Sequence, residues 1–245
     1  LRAAHRAALV RDRLHVAVVG DITAAEVGPM LDRLFGDLPE GGPPLPPVAA
    51  PALAGELLVS DLAIPQSVVA FAQPGIPRDD PDFIPAFVMI HILGGGGFGS
   101  RLTEELREQR GLTDGIGVSL APSDYGPLIA GRFSTANARA PEALALIRAE
   151  WSRMAEAGVT EAELEAAKRY LTGAYPLRFD GYGRIANQLL GLQIDGLGLD
   201  YVNRRNALVE AVSVEDIARV ARRLLDPDRL SFVVVGRPEG LEPTN

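Results

Sequence analysis

Apolar positions along the chain recur with two spacings. Leu144, Ile147, Trp151 and Met154 fall three or four apart, as do Leu164, Ala167 and Leu171, and then Ile217, Val220, Ala221 and Leu224. Each set predicts a helix with one buried stripe. Thr160 with Glu163 caps the second of these helices, and Ser213 caps the third. Helices are also expected over 82–93, an apolar run, over 100–109, with charges on one side, and over 181–194, apolar on one side. Short apolar runs bounded by turn residues predict strands at 56–60, 67–73, 115–121, 127–135 and 230–235. A turn at 122–126, Pro-Ser-Asp-Tyr-Gly, joins the third and fourth. The first 38 residues read helix, strand, helix. There Thr23 and Glu26 form a capping box, and Val27, Met30, Leu31 and Leu34 give an apolar face that Pro29 should disturb. Strands and helices come in clusters rather than strict alternation. The expected class is α+β: a two-layer sandwich of a mainly antiparallel or mixed sheet with helices on one face.

One pattern occurs twice. Asp12-Arg13-Leu14-His15-Val16-Ala17-Val18-Val19-Gly20 returns as Asp228-Arg229-Leu230-Ser231-Phe232-Val233-Val234-Val235-Gly236. Each copy follows a helix-like segment with arginine at the matched position, Arg6 and Arg222. The simplest account is two homologous units of about 200 residues each. Residues 1–38 would then be the C-terminal remnant of a first unit and residues 54–245 the second. The proline-rich stretch 39–53, with Pro39, Pro43, Pro44, Pro46, Pro47 and Pro51, would be a stiff linker. The first residue is Leu rather than Met, which suggests a fragment or a processed product.

Composition narrows the chemistry. A net charge of −8 disfavours a nucleic-acid partner, which needs a basic face. No run reaches the ~18 apolar residues of a membrane span. The chain has no cysteine, so disulfides, thiolate metal ligands and cysteine nucleophiles are excluded. The three histidines, His5, His15 and His91, are unclustered, and no His-x-x-Glu-His or His-Glu-x-x-His occurs. His15 falls on a buried-type strand and His91 on a packed helix, so both read as structural. No catalytic residue and no metal ligand is assigned.

The most informative stretch is 94–112, Gly-Gly-Gly-Gly-Phe-Gly-Ser-Arg-Leu-Thr-Glu-Glu-Leu-Arg-Glu-Gln-Arg-Gly-Leu. Gly94, Gly95, Gly96 and Gly97 read either as a flexible helix connector or as backbone that turns sharply or lies close to another chain or a ligand. A phosphate loop would need lysine after the glycines, and Ser100 and Arg101 stand there instead. A dinucleotide fingerprint would need a preceding strand, whereas 83–93 reads as helix. Ser100 is explained as a helix N-cap. The carboxylate pairs Glu104–Glu105 and Asp79–Asp80 read as solvated surface or helix N-terminal charge. Arg107, by spacing alone, is a surface arginine near a helix end.

These residues carry a resemblance. The glycine run with Phe98-Gly99-Ser100-Arg101-Leu102, then Leu106-Arg107-Glu108-Gln109-Arg110-Gly111-Leu112-Thr113, is similar to the C-terminal domain of the insulinase/pitrilysin metallopeptidases. That inverted-zincin family includes the mitochondrial processing peptidase. Val-Val-Gly-Asp at 18–21, Phe-Gly-Asp-Leu-Pro at 35–39 and the repeat fit it too. The resemblance covers essentially the whole chain and is nearest in kind to bacterial subunits of the processing-peptidase type. It implies two homologous α+β domains closing around an unfolded peptide, with zinc and a glutamate base on the first. This chain lacks that site, so it carries no cofactor itself, and zinc is expected on the catalytic half. In active members the second domain supplies an arginine and, seven residues on, a tyrosine beside the scissile bond. Arg107 matches the arginine, but Asp114 stands where the tyrosine would be. An ionised carboxylate cannot donate a hydrogen bond and would repel an oxyanion. The implied substrate-binding residues are therefore Arg107, Asp114 and Gly94 to Gly97, in a peptide-contact role. Tyr125, Tyr175 and Tyr182 are candidates for the missing hydroxyl, whereas Tyr170 and Tyr201 should pack along their helices. The resemblance implies a non-catalytic domain or subunit, inactive alone. Its partners would be a zinc-bearing half and a peptide, in a dimer. The alternative is a structural assembly protein built on the same fold. The compartment stays open between bacterial periplasm and cytoplasm.

Overall fold

The computed structural model describes residues Arg2–Glu242; Leu1 and residues 243–245, at the ends of the expected domains, lie outside it. The chain divides into two compact units. One comprises Leu1–Pro47 with Thr172–Asn206, and the other Val48–Leu171 with Ala207–Asn245.

The larger unit is built on a five-stranded sheet. The strands are β1 (Leu57–Asp61), β2 (Gln66–Pro74), β3 (Ile116–Ala121), β4 (Leu128–Ala136) and β5 (Ser231–Gly236), in spatial order β1-β5-β2-β4-β3. β1 and β5 are parallel, and the other pairs are antiparallel. Alternation decides which side chains face the core. Val59, Val69, Phe71, Ile129, Phe133, Phe232 and Val234 are buried. On the other face Leu58, Val68 and Val233 are 47%, 49% and 42% exposed, so the helices cover one face only. This is the expected α+β class with a mixed sheet.

The covering helices are α3 (Phe83–Ile90), α5 (Ala140–Ala157), α6 (Glu161–Ala174) and α9 (Val214–Leu224). The last residues of α6 and the first of α8 (Tyr201–Glu210) belong to the smaller unit. The stripes read from spacing are buried: Leu144, Ile147, Trp151 and Met154 on α5, Leu164, Ala167 and Leu171 on α6, Ile217, Val220 and Ala221 on α9. Local caps set the starts of α6 and α9. Glu163 accepts from Thr160 N–H at 2.8 Å, and Asp216 from Ser213 N–H at 3.1 Å. Phe71 stands at the centre of the core, against Phe133, Trp151 and Phe232 at ring separations of 6.2, 5.8 and 5.7 Å. Trp151 Nε1 donates to Gln73 Oε1 at 2.8 Å, and Gln73 Nε2 donates to the Leu224 carbonyl. One buried amide thus ties α5, β2 and the end of α9 together. Gly131 lies over Phe71, and any Cβ there would overlap the ring.

Asp79 and Asp80 are not a solvated pair. Asp79 is exposed, but the Asp80 side chain is mostly covered and pairs with Arg223 at 2.8 Å. Asp82 is buried and takes Arg219 at 2.6 Å and Arg223 at 2.5 Å. Arg223 holds the Asp80 carboxyl below the usual range. At Asp82 burial pushes the other way, and the two arginines outweigh it. The cluster joins α9 to the loop that starts α3.

The smaller unit contains α1 (Arg2–Ala8), α2 (Ala24–Phe35) and α7 (Tyr182–Ile194). The strand expected over 14–20 has no ladder among the described residues. Its copy β5 lies between β1 and β2, whereas residues 14–20 have no strand beside them and are half-exposed to exposed. A strand needs a neighbour to take its N–H and C=O groups. Instead the Val16 carbonyl accepts from Gln193 Nε2 at 3.0 Å. His15 is accordingly exposed rather than buried. The Thr23–Glu26 capping box is present, but α2 runs on through Pro29. Gly28 precedes the proline, so the steric clash with the preceding Cβ is absent. Val27, Met30 and Leu31 are half-buried, while Leu34 is exposed, so the expected apolar face is incomplete.

Candidate functional site

The expected helix over 82–93 changes its winding before the glycines. Residues His91–Gly95 form a π-helical turn, Gly97–Gly99 a 3₁₀ turn, Arg101–Thr103 a short α-helical turn (α4), and Glu104–Gln109 a second π-helical segment. π-Helical turns are rare and recur at functional sites. Ser100 has the extended backbone of an N-cap, but its hydroxyl turns back to the Gly97 carbonyl at 2.9 Å and lies 2.9 Å from Thr103 Oγ1. It therefore fastens the loop rather than capping the helix.

The four glycines have different reasons to lack a side chain. Gly94 is buried, and a Cβ there would stand 2.5 Å from Val118 Cγ2 on β3. A Cβ on Gly95 would come within 3.1 Å of the Val118 carbonyl oxygen, so this backbone lies along the β3 edge. At Gly96 it would meet the His91 carbonyl at 2.8 Å. Gly97 has open space but φ +60°, where side-chain-bearing residues are strained. Gly94 and Gly95 are thus shaped by close approach to their own sheet, a partner the reading of the glycines did not name, while Gly97 supplies a turn.

The downstream end is anchored by charge. Arg101 forms a fork with Glu163, Nε to Oε1 at 2.6 Å and one terminal nitrogen to Oε2 at 2.8 Å, and reaches the Gly158 carbonyl at 2.9 Å. This fork, with the Thr160 bonds, lowers the Glu163 pKa from 4.5 to about 2 against the opposing effect of burial. The helix then closes at Gly111, φ +58°. The Gly111 N–H returns to Arg107 O at 3.0 Å and the Leu112 N–H to Leu106 O at 2.7 Å.

Beside the glycine loop, the open face of the sheet and the β3 edge enclose a cleft of about 1180 Å³. Gly94, Gly95, Gly97 and Asp114 all border it. Gly96 and Arg107 do not. Arg107 lies with its guanidinium 4.5 Å from the centre of the Phe98 ring and with Glu108 at 3.6 Å, and Phe98 is 73% exposed. Asp114 is exposed in the loop before β3. Tyr125 and Tyr170, the tyrosines of this unit, are not among the bordering residues. Tyr170 is exposed and stacks on His91 at 5.1 Å instead of packing into its helix. In the smaller unit Tyr175 is buried under the Arg205 guanidinium at 4.6 Å, and Tyr182 is exposed. Spacing did not single out Arg132 or Phe98. Arg132 projects from β4 at the cleft and Phe98 from the loop. An outward arginine on a strand carries no signal of its own, and Phe98 reads only as part of the motif 94–102.

Among the described residues no group of three or more His, Cys, Asp or Glu is placed to hold a metal ion. His5 and His15 are exposed, and His91 is occupied by Tyr170. The described residues do not fit a zinc ion. No helix of the described residues is long and apolar enough to cross a membrane.

Comparison with known proteins decides the family. The model of the peptidase M16 inactive domain matches residues 1–171. The chain belongs to the peptidase M16 inactive-domain family. The resemblance read from the motifs at 94–113 is therefore borne out. The chain is 26% identical over 227 residues to a protein of Helicobacter pylori named non-peptidase homolog YmxG, covering 91% of the chain and 52% of that relative. It is 28% identical over 247 residues to the mitochondrial-processing peptidase subunit beta of Lentinula edodes, covering 94% and 52%. A crystal structure of a peptidase M16 inactive domain from Pseudomonas fluorescens superposes with a TM-score of 0.80 at 28% identity, covering 92% of this chain and 54% of that one. The chain spans about half the length of the curated relatives it matches. It is an inactive M16 domain of a zinc-protease-like family.

Proposed function

We propose that this chain is the non-catalytic half of a zinc metalloendopeptidase. It helps to enclose an unfolded peptide and positions it for cleavage by a zinc-bearing half. That half lies upstream in the same polypeptide or on a partner subunit in a dimer. The observation that carries this reading is the open cleft bordered by Gly94, Gly95, Gly97 and Asp114, with bare backbone and small side chains along a sheet edge. Such a surface suits an extended backbone better than a compact ligand. Arg107, with Phe98, acts beside the cleft as a peptide contact. Asp114 cannot donate a hydrogen bond to an oxyanion, so the chain contributes positioning rather than transition-state stabilisation. Zinc resides on the other half.

The same reading gives the domain organisation. Residues 1–38 are the remnant of a first homologous domain, 39–53 the linker and 54–245 the second domain. The unpaired run 14–20 would join a sheet of the first.

The test is cleavage of an unfolded peptide by this chain alone and mixed with the zinc-bearing half from the same source, each with and without a chelator. Cleavage only in the mixture, abolished by chelator and lowered roughly 3–10-fold by Arg107→Ala, supports the proposal. Chelator-sensitive cleavage by the chain alone overturns it. Stable association without cleavage favours the structural assembly role.

A further inference from the structure

We propose that Arg132 is a specificity-determining residue of the cleft, selecting peptides that place an acidic side chain over β4. The inference rests on the peptide-binding reading above and adds the chemistry of the peptide. Arg132 projects from the open face of the sheet and borders the cleft. Its cross-strand neighbours are Ala70 on β2 and Gly117 on β3. The same-face neighbours on its own strand are Ala130 and Ser134. The guanidinium therefore rises from a floor of short side chains that neither cover it nor bond it.

Among the described residues, Arg132 has no ion pair or side-chain hydrogen bond, unlike Arg101, Arg219 and Arg223 of the same unit. Among the described residues it is the only basic one bordering the cleft, and the only carboxylate there is Asp114, in the loop before β3. A fork-shaped cation facing a cleft without an internal counter-charge is complementary to a carboxylate brought by the ligand. The floor around it, Val68 and Ala70 included, is apolar or small, so the flanking residues of the peptide should be apolar. A net charge of −8 opposes acidic peptides at long range, so the preference has to be local and should survive physiological salt.

The test measures binding of fluorescently labelled, unstructured peptides by anisotropy. The peptides share one apolar sequence and differ only in a central Glu, Gln or Lys. The proteins are the intact chain, Arg132→Lys and Arg132→Glu, each checked for native circular dichroism. The intact chain should bind the Glu peptide about 3- to 5-fold more tightly than the Gln peptide, and the Lys peptide least. Arg132→Lys should keep that order, and Arg132→Glu should reverse it. An order unchanged in Arg132→Glu overturns the role of Arg132 and leaves peptide binding intact. Failure of every peptide to bind every protein overturns peptide binding and this inference together.

Discussion

The Arg101–Glu163 fork fixes the end of the glycine loop, and its contribution can be worked out. The perturbation is Glu163→Gln, which keeps the shape and removes the charge. Lowering a carboxyl pKa from 4.5 to about 2 corresponds to roughly 3.4 kcal/mol in favour of the ionised folded form, at 1.36 kcal/mol per tenfold. The Glu163 side chain is 30% exposed, so solvent screening reduces the expected effect to about 1.5–2.5 kcal/mol. The sign follows from linkage. The folded pKa lies below the unfolded one, so the stabilisation is fully present above about 4.5. It fades as pH falls towards about 2. Urea denaturation of both proteins at pH 6.5 should differ by that amount, and the gap should close progressively between those two limits. Arg101→Met should cost a similar amount, and the double variant should cost less than the sum. A gap that stays constant down to the lower limit would refute the reasoning, because it would owe nothing to the ionised carboxylate.

Other outcomes follow from the same geometry. Gly94→Ala should cost about 1–3 kcal/mol through overlap with Val118, and combining it with Val118→Ala should be strongly non-additive in urea denaturation. Gly97→Ala has room for its methyl and should cost only about 1 kcal/mol, through its backbone conformation alone. Trp151→Phe removes the short indole bond to Gln73 Oε1, leaving that oxygen only the Asp226 N–H at 3.4 Å, and should cost about 1–3 kcal/mol by thermal denaturation. Asp82→Asn should lower stability at neutral pH by about 1–3 kcal/mol through loss of the Arg219 and Arg223 pairs. Its gap from the native protein should narrow in acid, where the native carboxyl is also neutral.

Local signals carried much of the fold. The caps at Thr160 and Ser213 and the stripes of α5, α6 and α9 need only nearby residues, and they stand where the spacing put them. What needed a distant partner stayed hidden. Asp80 looks like surface charge until Arg223, 143 residues away, is brought beside it. Residues 14–20 and 230–236 share a pattern, but only the second copy has strands on both sides. The π-helical turns have no spacing signature, because the same residues fit an ordinary helix. Around the cleft, the motif order pointed to the glycine run, of which Gly94, Gly95 and Gly97 border it, and to Arg107, which does not. Arg132 was not, since its distinction is the smallness of Ala70 and Gly117 across two strand pairings.

Gly131 and Phe71 share one volume: the ring fills the space that a side chain at 131 would need. Descent should leave a trace of that. Among relatives that share this sheet, a residue larger than glycine at the position of 131 should accompany a smaller one at the position of 71. The bulk lost there would have to be supplied from the side of Trp151 or Phe232. The two strand positions would then evolve as a unit, and a chimera taking β2 from one lineage and β4 from another would fail at this point before any other.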